Sequence, residues 1–187
     1  MNLCKNVDFH KSLDNLVSSL KSYPLSNYDL TNAHPNIRIT TSADLPKLRF
    51  ADQLFNGNIG VLLWLNEENS GHWLGLIRKQ HTIEIFDSYG FPFKNINKHL
   101  NSQMNISPDV LLNLIKKGGY KPIFNKKIYQ NRTDKSNATC GRWVLLRFAF
   151  SKYNLKEFDR ILKHIKNKTC INSLELSVLY TNEILNK

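Results

Sequence analysis

The stretch Gly71-His72-Trp73-Leu74-Gly75-Leu76-Ile77-Arg78, with Thr82-Ile83-Glu84-Ile85-Phe86-Asp87 close behind it, is where the fold class is decided. Both runs are rich in β-branched and aromatic residues, and a short polar connection separates them, as in a β-hairpin. A loop centred on Lys79-Gln80 sets Leu76 against Ile83, Leu74 against Ile85 and His72 against Asp87. Side chains alternate along a strand, so these six share one face. Trp73 and Phe86 pair on the other. Lys-Gln is a poor two-residue turn; a four-residue loop from Arg78 to His81 keeps the same register. Apolar residues on both faces predict a covered, central hairpin.

Working outward, Asn58 to Leu65 reads as a buried strand and residues 67–71 as a turn. Phe9, Leu13, Leu16, Val17 and Leu20 recur at helical spacing over Asp8 to Lys21. Pro24, Pro35 and Pro46 among Ser, Thr and Asn predict an extended arm or long loop over residues 24–47. Pro108 to Lys117 reads as a helix closed by Gly118-Gly119. Asn125 to Gln130 reads as a short strand and Asn131 to Thr139 as a polar loop. Helices are expected over Cys140 to Tyr153, Lys156 to Lys166 and Ser173 to Leu185. Helix, strands, helix, strand and helices in that order make an α+β fold.

The 187 residues suit one domain. They divide into an N-terminal helix and Pro-containing arm (about 1–50), a core (about 58–152) and C-terminal helices (about 155–187). The composition, 41% apolar and 22% charged, is that of a globular chain. Neither a membrane-length apolar run nor a signal-peptide core is present, so a soluble, non-secreted protein is expected. Cys4, Cys140 and Cys170 are widely spaced and odd in number; the economical expectation is three free thiols in a reducing compartment. No Cys/His spacing suits zinc, and G-x-S-x-G, H-E-x-x-H and P-loop motifs are absent. The 23 Asn and 19 Lys point to an A/T-rich genome. The charge of +11 favours polyanions. Its clusters are Lys116-Lys117 with Lys121, Lys126-Lys127, and Lys163, Lys166 and Lys168.

Three residues stand out for chemistry. His72 opposite Asp87 places an imidazole within reach of a carboxylate that fixes its tautomer. Cys140 opens a helix behind a polar loop, where the helix dipole and unpaired N–H groups favour thiolate. Gly141 beside it permits close approach of a substrate. A nucleophile, a base and an orienting carboxylate are thus present in the chain order His, Asp, Cys.

The words Gly71-His72-Trp73, Phe86-Asp87-Ser88-Tyr89-Gly90 and Asn137-Ala138-Thr139-Cys140-Gly141 resemble the adenovirus-type and Ulp-type cysteine proteases over residues 58–152. The resemblance implies a central mixed sheet flanked by helices, with a catalytic Cys140 at the N-terminus of a buried helix. It also implies a Gln shortly before the cysteine that donates to an oxyanion hole. Gln130 matches best, with Asn131 and Asn137 as alternatives, because Arg132-Thr133-Asp134-Lys135 lengthens the interval. Trp73 would wall a slot for small residues, so Gly-rich cleavage sites are implied. No cofactor or metal is demanded by the sequence; activation by DNA or a viral peptide is what some members imply. The expected role is a monomeric viral maturation protease in the virion, host cytoplasm or virus factory, acting on capsid or core precursors and touching DNA through its basic surface, with no membrane partner. Two alternatives are a peptidase for ubiquitin-like proteins (SUMO or NEDD8 type) and a basic nucleic-acid-binding particle protein with a degenerate triad.

Overall fold

The computed structural model describes residues 3–68, 70–131, 133–134 and 137–186. Its centre is a five-stranded mixed sheet in the order β1-β2-β3-β4-β5. The strands are β1 (Arg38–Thr41), β2 (Ile59–Glu67), β3 (Ser70–Lys79), β4 (Thr82–Phe86) and β5 (Lys121–Phe124). The two outer pairings, β1/β2 and β4/β5, are parallel, and the two inner ones are antiparallel. Period-two alternation sends Leu62, Trp64, Leu74, Leu76, Ile83 and Ile85 to one face and Val61, Trp73, Ile77 and Phe86 to the other. Helices cover both faces, so the strands read as near-continuous apolar runs.

Helices α3 (Ile96–Leu100) and α4 (Asp109–Lys117) pack on the first face through Ile96, Leu111, Leu112 and Ile115. On the second face lie α2 (Asn27–Ala33), α5 (Cys140–Ala149) and α6 (Leu155–Thr169). A Cβ on Gly75 would sit 3.3 Å from the Phe148 ring and 3.4 Å from Val144, so the glycine lets α5 rest directly on β3. Arg147 on α5 donates from Nε and Nη2 to the two carboxylate oxygens of Glu84 on β4, at 2.7 and 2.9 Å. Both groups are buried, and removing one member of such a pair costs about 3–5 kcal/mol. Helix α1 (Val7–Leu20) packs on α7 (Ser173–Leu185) through Leu13, Val17 and Val178. Among the described residues no helix is long and apolar enough to cross a membrane.

Four expectations are corrected. The β3–β4 hairpin turns on Gln80-His81, so Leu76 pairs with Ile85 and Lys79 with Thr82. That moves the register by two residues, which preserves every side chain's face. Residues 24–47 are structured. Ser26 and Asp29 form a capping box that starts α2, Pro24 and Pro35 flank that helix without interrupting it, and Ile39 pairs with Val61 in the sheet. The strand after α4 is Lys121–Phe124, while residues 125–130 run on without joining the ladder. Its Pro122 is tolerated because β5 is an edge strand.

The fourth correction concerns the thiols. Cys4 and Cys170 form a disulfide between chain positions 166 residues apart, and Cys140 alone is free. The packing of α1 on α7 brings the two sites together, with Cys4 just before α1 and Cys170 between α6 and α7. An odd cysteine count excludes complete pairing but not one bridge, so the inference of a reducing compartment loses its premise.

Candidate active site

Strand β4 ends at Phe86 because the next carboxylate folds the chain around itself. Asp87 Oδ1 accepts the Tyr89 N–H at 2.8 Å, its Oδ2 accepts the Phe91 N–H at 3.4 Å, and its carbonyl accepts the Gly90 N–H at 2.9 Å. Gly90 sits at φ +65°, where a Cβ would also lie 2.6 Å from the Lys127 carbonyl, so only glycine closes this turn comfortably. Asn125, just past β5, replaces the missing ladder. Its Oδ1 accepts the Asp87 N–H at 2.7 Å and its Nδ2 donates to the Asp87 carbonyl at 2.6 Å.

Within this turn the Asp87 carboxylate meets His72 on β3, Oδ1 to Nε2 at 2.7 Å. The pairing is diagonal in the sheet, yet the shared face makes it available. Cys140 lines the same cleft as His72, close enough for thiol and imidazole to act on each other's protonation. The cysteine opens α5 and stays part-exposed, and the N–H groups of Trp73 and Gly141 also point at its sulfur. His72 and Asp87 are both buried.

Burial is the largest influence on the His72 ring and disfavours its charge. The Asp87 carboxylate and the Cys140 sulfur outweigh it, raising the imidazole from 6.5 to about 10. Burial likewise pushes the Cys140 thiol up. The hydrogen bond and charge of His72, aided by the two N–H groups, overcome that and hold it below its usual value. The arrangement favours an imidazolium–thiolate pair braced by a carboxylate.

Gln130 lies in the same cleft, a cavity of about 380 Å³ lined by His72, Tyr89, His99, Asn137 and Cys140 among others. Its backbone N–H and that of Tyr129 donate to the Ser88 carbonyl, and the Ser88 hydroxyl donates to Gln130 Oε1 at 2.8 Å. Gln130 Nε2 donates to the Asn137 carbonyl at 2.6 Å and faces the Tyr89 hydroxyl at 3.4 Å. Its two alternatives are placed differently. Asn131 is exposed and bonded to Thr133, and the Asn137 side chain accepts from the Thr139 hydroxyl. Arg132 and Lys135 of the proposed insertion lie outside the described residues.

Trp73 and Gly141 pack against Leu25 and are not among the residues that line this cleft. The Trp73 indole N–H donates to the Leu25 carbonyl at 2.8 Å, and the ring is buried. A Cβ on Gly141 would meet Leu25 Cβ at 3.0 Å and Trp73 Cδ1 at 3.2 Å. We therefore expect Gly141→Ala to destabilise the fold by about 1–3 kcal/mol through overpacking. Urea denaturation checks this, and an unchanged midpoint would mean that Leu25 yields freely.

No protein-family model matches the chain. The chain is 30% identical to the uncharacterized protein V9 of Sputnik virophage in an alignment of 165 positions that covers 84% of the chain and 93% of that protein. The chain belongs to the V9 family.

Three parts of this V9-family site escaped the sequence: Asn125, Tyr89 and the 20–25 segment. Tyr89 stacks on His72 with centroids 4.4 Å apart and an interplanar angle of 17°. The Lys21 carbonyl accepts the Ala138 N–H at 2.7 Å, the Leu20 carbonyl accepts from Arg142 Nη2 at 3.4 Å, and Pro24 reaches the cleft. The third residue of the Asp-Ser-Tyr-Gly turn is the one available signal, because a residue two beyond an Asx-turn aspartate returns toward it.

Proposed function

We propose that this V9-family chain is a cysteine endopeptidase of the adenovirus and Ulp type, serving as a viral maturation protease. The single observation that carries the proposal is the Asp87–His72 hydrogen bond in one cleft with the part-exposed Cys140 at a helix N-terminus. The Cys140 thiolate attacks the scissile carbonyl carbon and forms the C–S bond. The Cys140 N–H, among the helix donors without an intrahelical acceptor, and Gln130 Nε2 hold the oxyanion. His72 gives its proton to the leaving amine as the C–N bond breaks. It then takes a proton from water, which attacks the thioester and frees the acid and the thiolate. Asp87 keeps the imidazole in register throughout.

Gly-rich or other small-residue sites in capsid or core precursors are the proposed substrates, on the resemblance of the sequence words rather than on Trp73, which packs on Leu25. DNA is a proposed partner, supported by a fold that gathers separate basic clusters. Lys127, Lys156, Arg160, Lys163 and Lys166 line one cleft of about 470 Å³ on α6, with Asp159 as its acidic member, bonded to Lys127 and Tyr129. Purified wild type and Cys140→Ala, incubated with a fluorogenic peptide library carrying Gly and Ala at the cleavage positions, test the proposal. We expect cleavage by the wild type and at least a 1,000-fold loss in the variant. Equal rates in both, or no cleavage by a wild type whose Cys140 is reactive, would count against peptide hydrolysis.

A further inference from the structure

We infer that Tyr89 is a positioning residue of this site, its ring keeping the His72 imidazole in place and its hydroxyl keeping the Gln130 amide in place. The inference rests on the thiol-protease reading of the site.

Three contacts converge on this one residue. The observed hairpin register carries position 89 back opposite His72, since β3 and β4 diverge after Phe86 while the turn folds over the site. Its N–H donates to Asp87 Oδ1, the oxygen that also receives His72 Nε2. Its ring lies nearly parallel to the imidazole at 4.4 Å, and its hydroxyl oxygen stands 3.4 Å from Gln130 Nε2.

Each contact has a distinct consequence. A protonated imidazole over the face of a tyrosine ring is favoured by the ring quadrupole, so the stack supports the charged form of His72 that accompanies thiolate. The stack also blocks the ring flip that would take Nδ1 away from Cys140. The hydroxyl engages the second proton of the Gln130 amide, the first being held by the Asn137 carbonyl. At 3.4 Å the hydroxyl is a long, weak acceptor that holds this second proton toward the cleft and yields it to a stronger one, the tetrahedral oxyanion. The groups acting electrostatically on His72 are Asp87 and Cys140. Tyr89 is the ring against it, and His99 lies farther along the same row, stacked on Phe91 at 4.0 Å.

The two roles separate experimentally with Tyr89→Phe and Tyr89→Leu. Iodoacetamide labelling of Cys140 across pH reads the imidazolium–thiolate pair; kcat and KM on a cleaved peptide read the oxyanion site. Tyr89→Phe keeps the ring, so we expect the wild-type labelling profile and KM within twofold, with kcat lowered about tenfold. Tyr89→Leu loses the ring as well, and labelling at pH 6 should fall roughly three- to tenfold further than in Tyr89→Phe. Thermal melts establish that each variant is folded; should Tyr89→Leu not fold, Tyr89→Met, which fills similar space without a ring, takes its place. If the variant without the phenyl ring labels like wild type and Tyr89→Phe keeps full kcat, the inference is overturned while the site stands. If wild-type Cys140 itself labels like an ordinary thiol, the protease reading fails, and Tyr89 loses its role with it.

Discussion

At pH 6, iodoacetamide should modify Cys140 in the folded wild type at least tenfold faster than in His72→Ala. The sign follows from the pair. The Cys140 thiol is held low by His72, and His72 is held at about 10 by Asp87 and the sulfur, so both are charged between those limits. Reactivity should be flat through neutrality and fall only as acid protonates the sulfur. In His72→Ala burial is opposed only by the Trp73 and Gly141 N–H groups, so the thiol should become reactive at higher pH than in the wild type. Asp87→Asn should lie between them, since the imidazole keeps a hydrogen-bond partner but loses the countercharge. The same pair links pH to stability. The contribution of His72, whose value is raised, is complete below 6.5 and lost as pH rises through about 10. That of Cys140, whose value is lowered, is lost as pH falls through its folded value. Peptide mass spectrometry after quenching checks the rates. Identical profiles in wild type and His72→Ala would dissociate the thiol from the imidazole.

The second large effect is on stability. Replacing Cys4 and Cys170 by serine should lower the unfolding free energy by about 2–5 kcal/mol, because the bridge constrains an unfolded loop spanning nearly the whole chain. For a protein of this size that amounts to roughly 10 °C in Tm. The loss should be reproduced in the wild type by a reductant and be absent when the reductant is added to the double variant. Denatured wild type without reductant should take one iodoacetamide label, at Cys140, and three after reduction. Three labels from the start would remove the bridge. The consequence reaches the candidate site through α1, whose far end leads into the 20–25 segment bonded to Ala138, Arg142 and Trp73. Cys140 labelling in the double variant measures that link directly.

How much of this was legible differs residue by residue. His72 and Asp87 could be placed on one face although the hairpin was centred one position too early, because a shift of two residues leaves alternation intact. The turn was misplaced because Lys79-Gln80-His81 contains no Asn-Gly or Gly to mark its centre. Cys140 at a helix start was visible from the switch between a polar loop and an apolar helical pattern, and α7 has the boundaries expected of Ser173–Leu185. Helix α2 was obscured by three prolines, although its Ser26-x-x-Asp29 box was in view. The sequence sets the last strand four residues too late because Ile128 and Tyr129 are strand-favouring residue types, whereas the ladder is made by Lys121–Phe124.

From residues alone came the α+β class, the hairpin, the helix-borne cysteine and the three groups able to form a nucleophile, base and carboxylate. These rest on local physics: alternation, helical period, capping and the chemistry of each side chain. Tertiary structure alone decided the rest. It brought the thiol into one cleft with the imidazole, set the Gln130 side chain among Ser88, Tyr89 and Asn137, joined Cys4 to Cys170, and put Tyr89 over His72. Each is a meeting of segments distant in the chain or a turn whose exact register is set by its surroundings, and no local rule measures the distance between two such segments before they have packed.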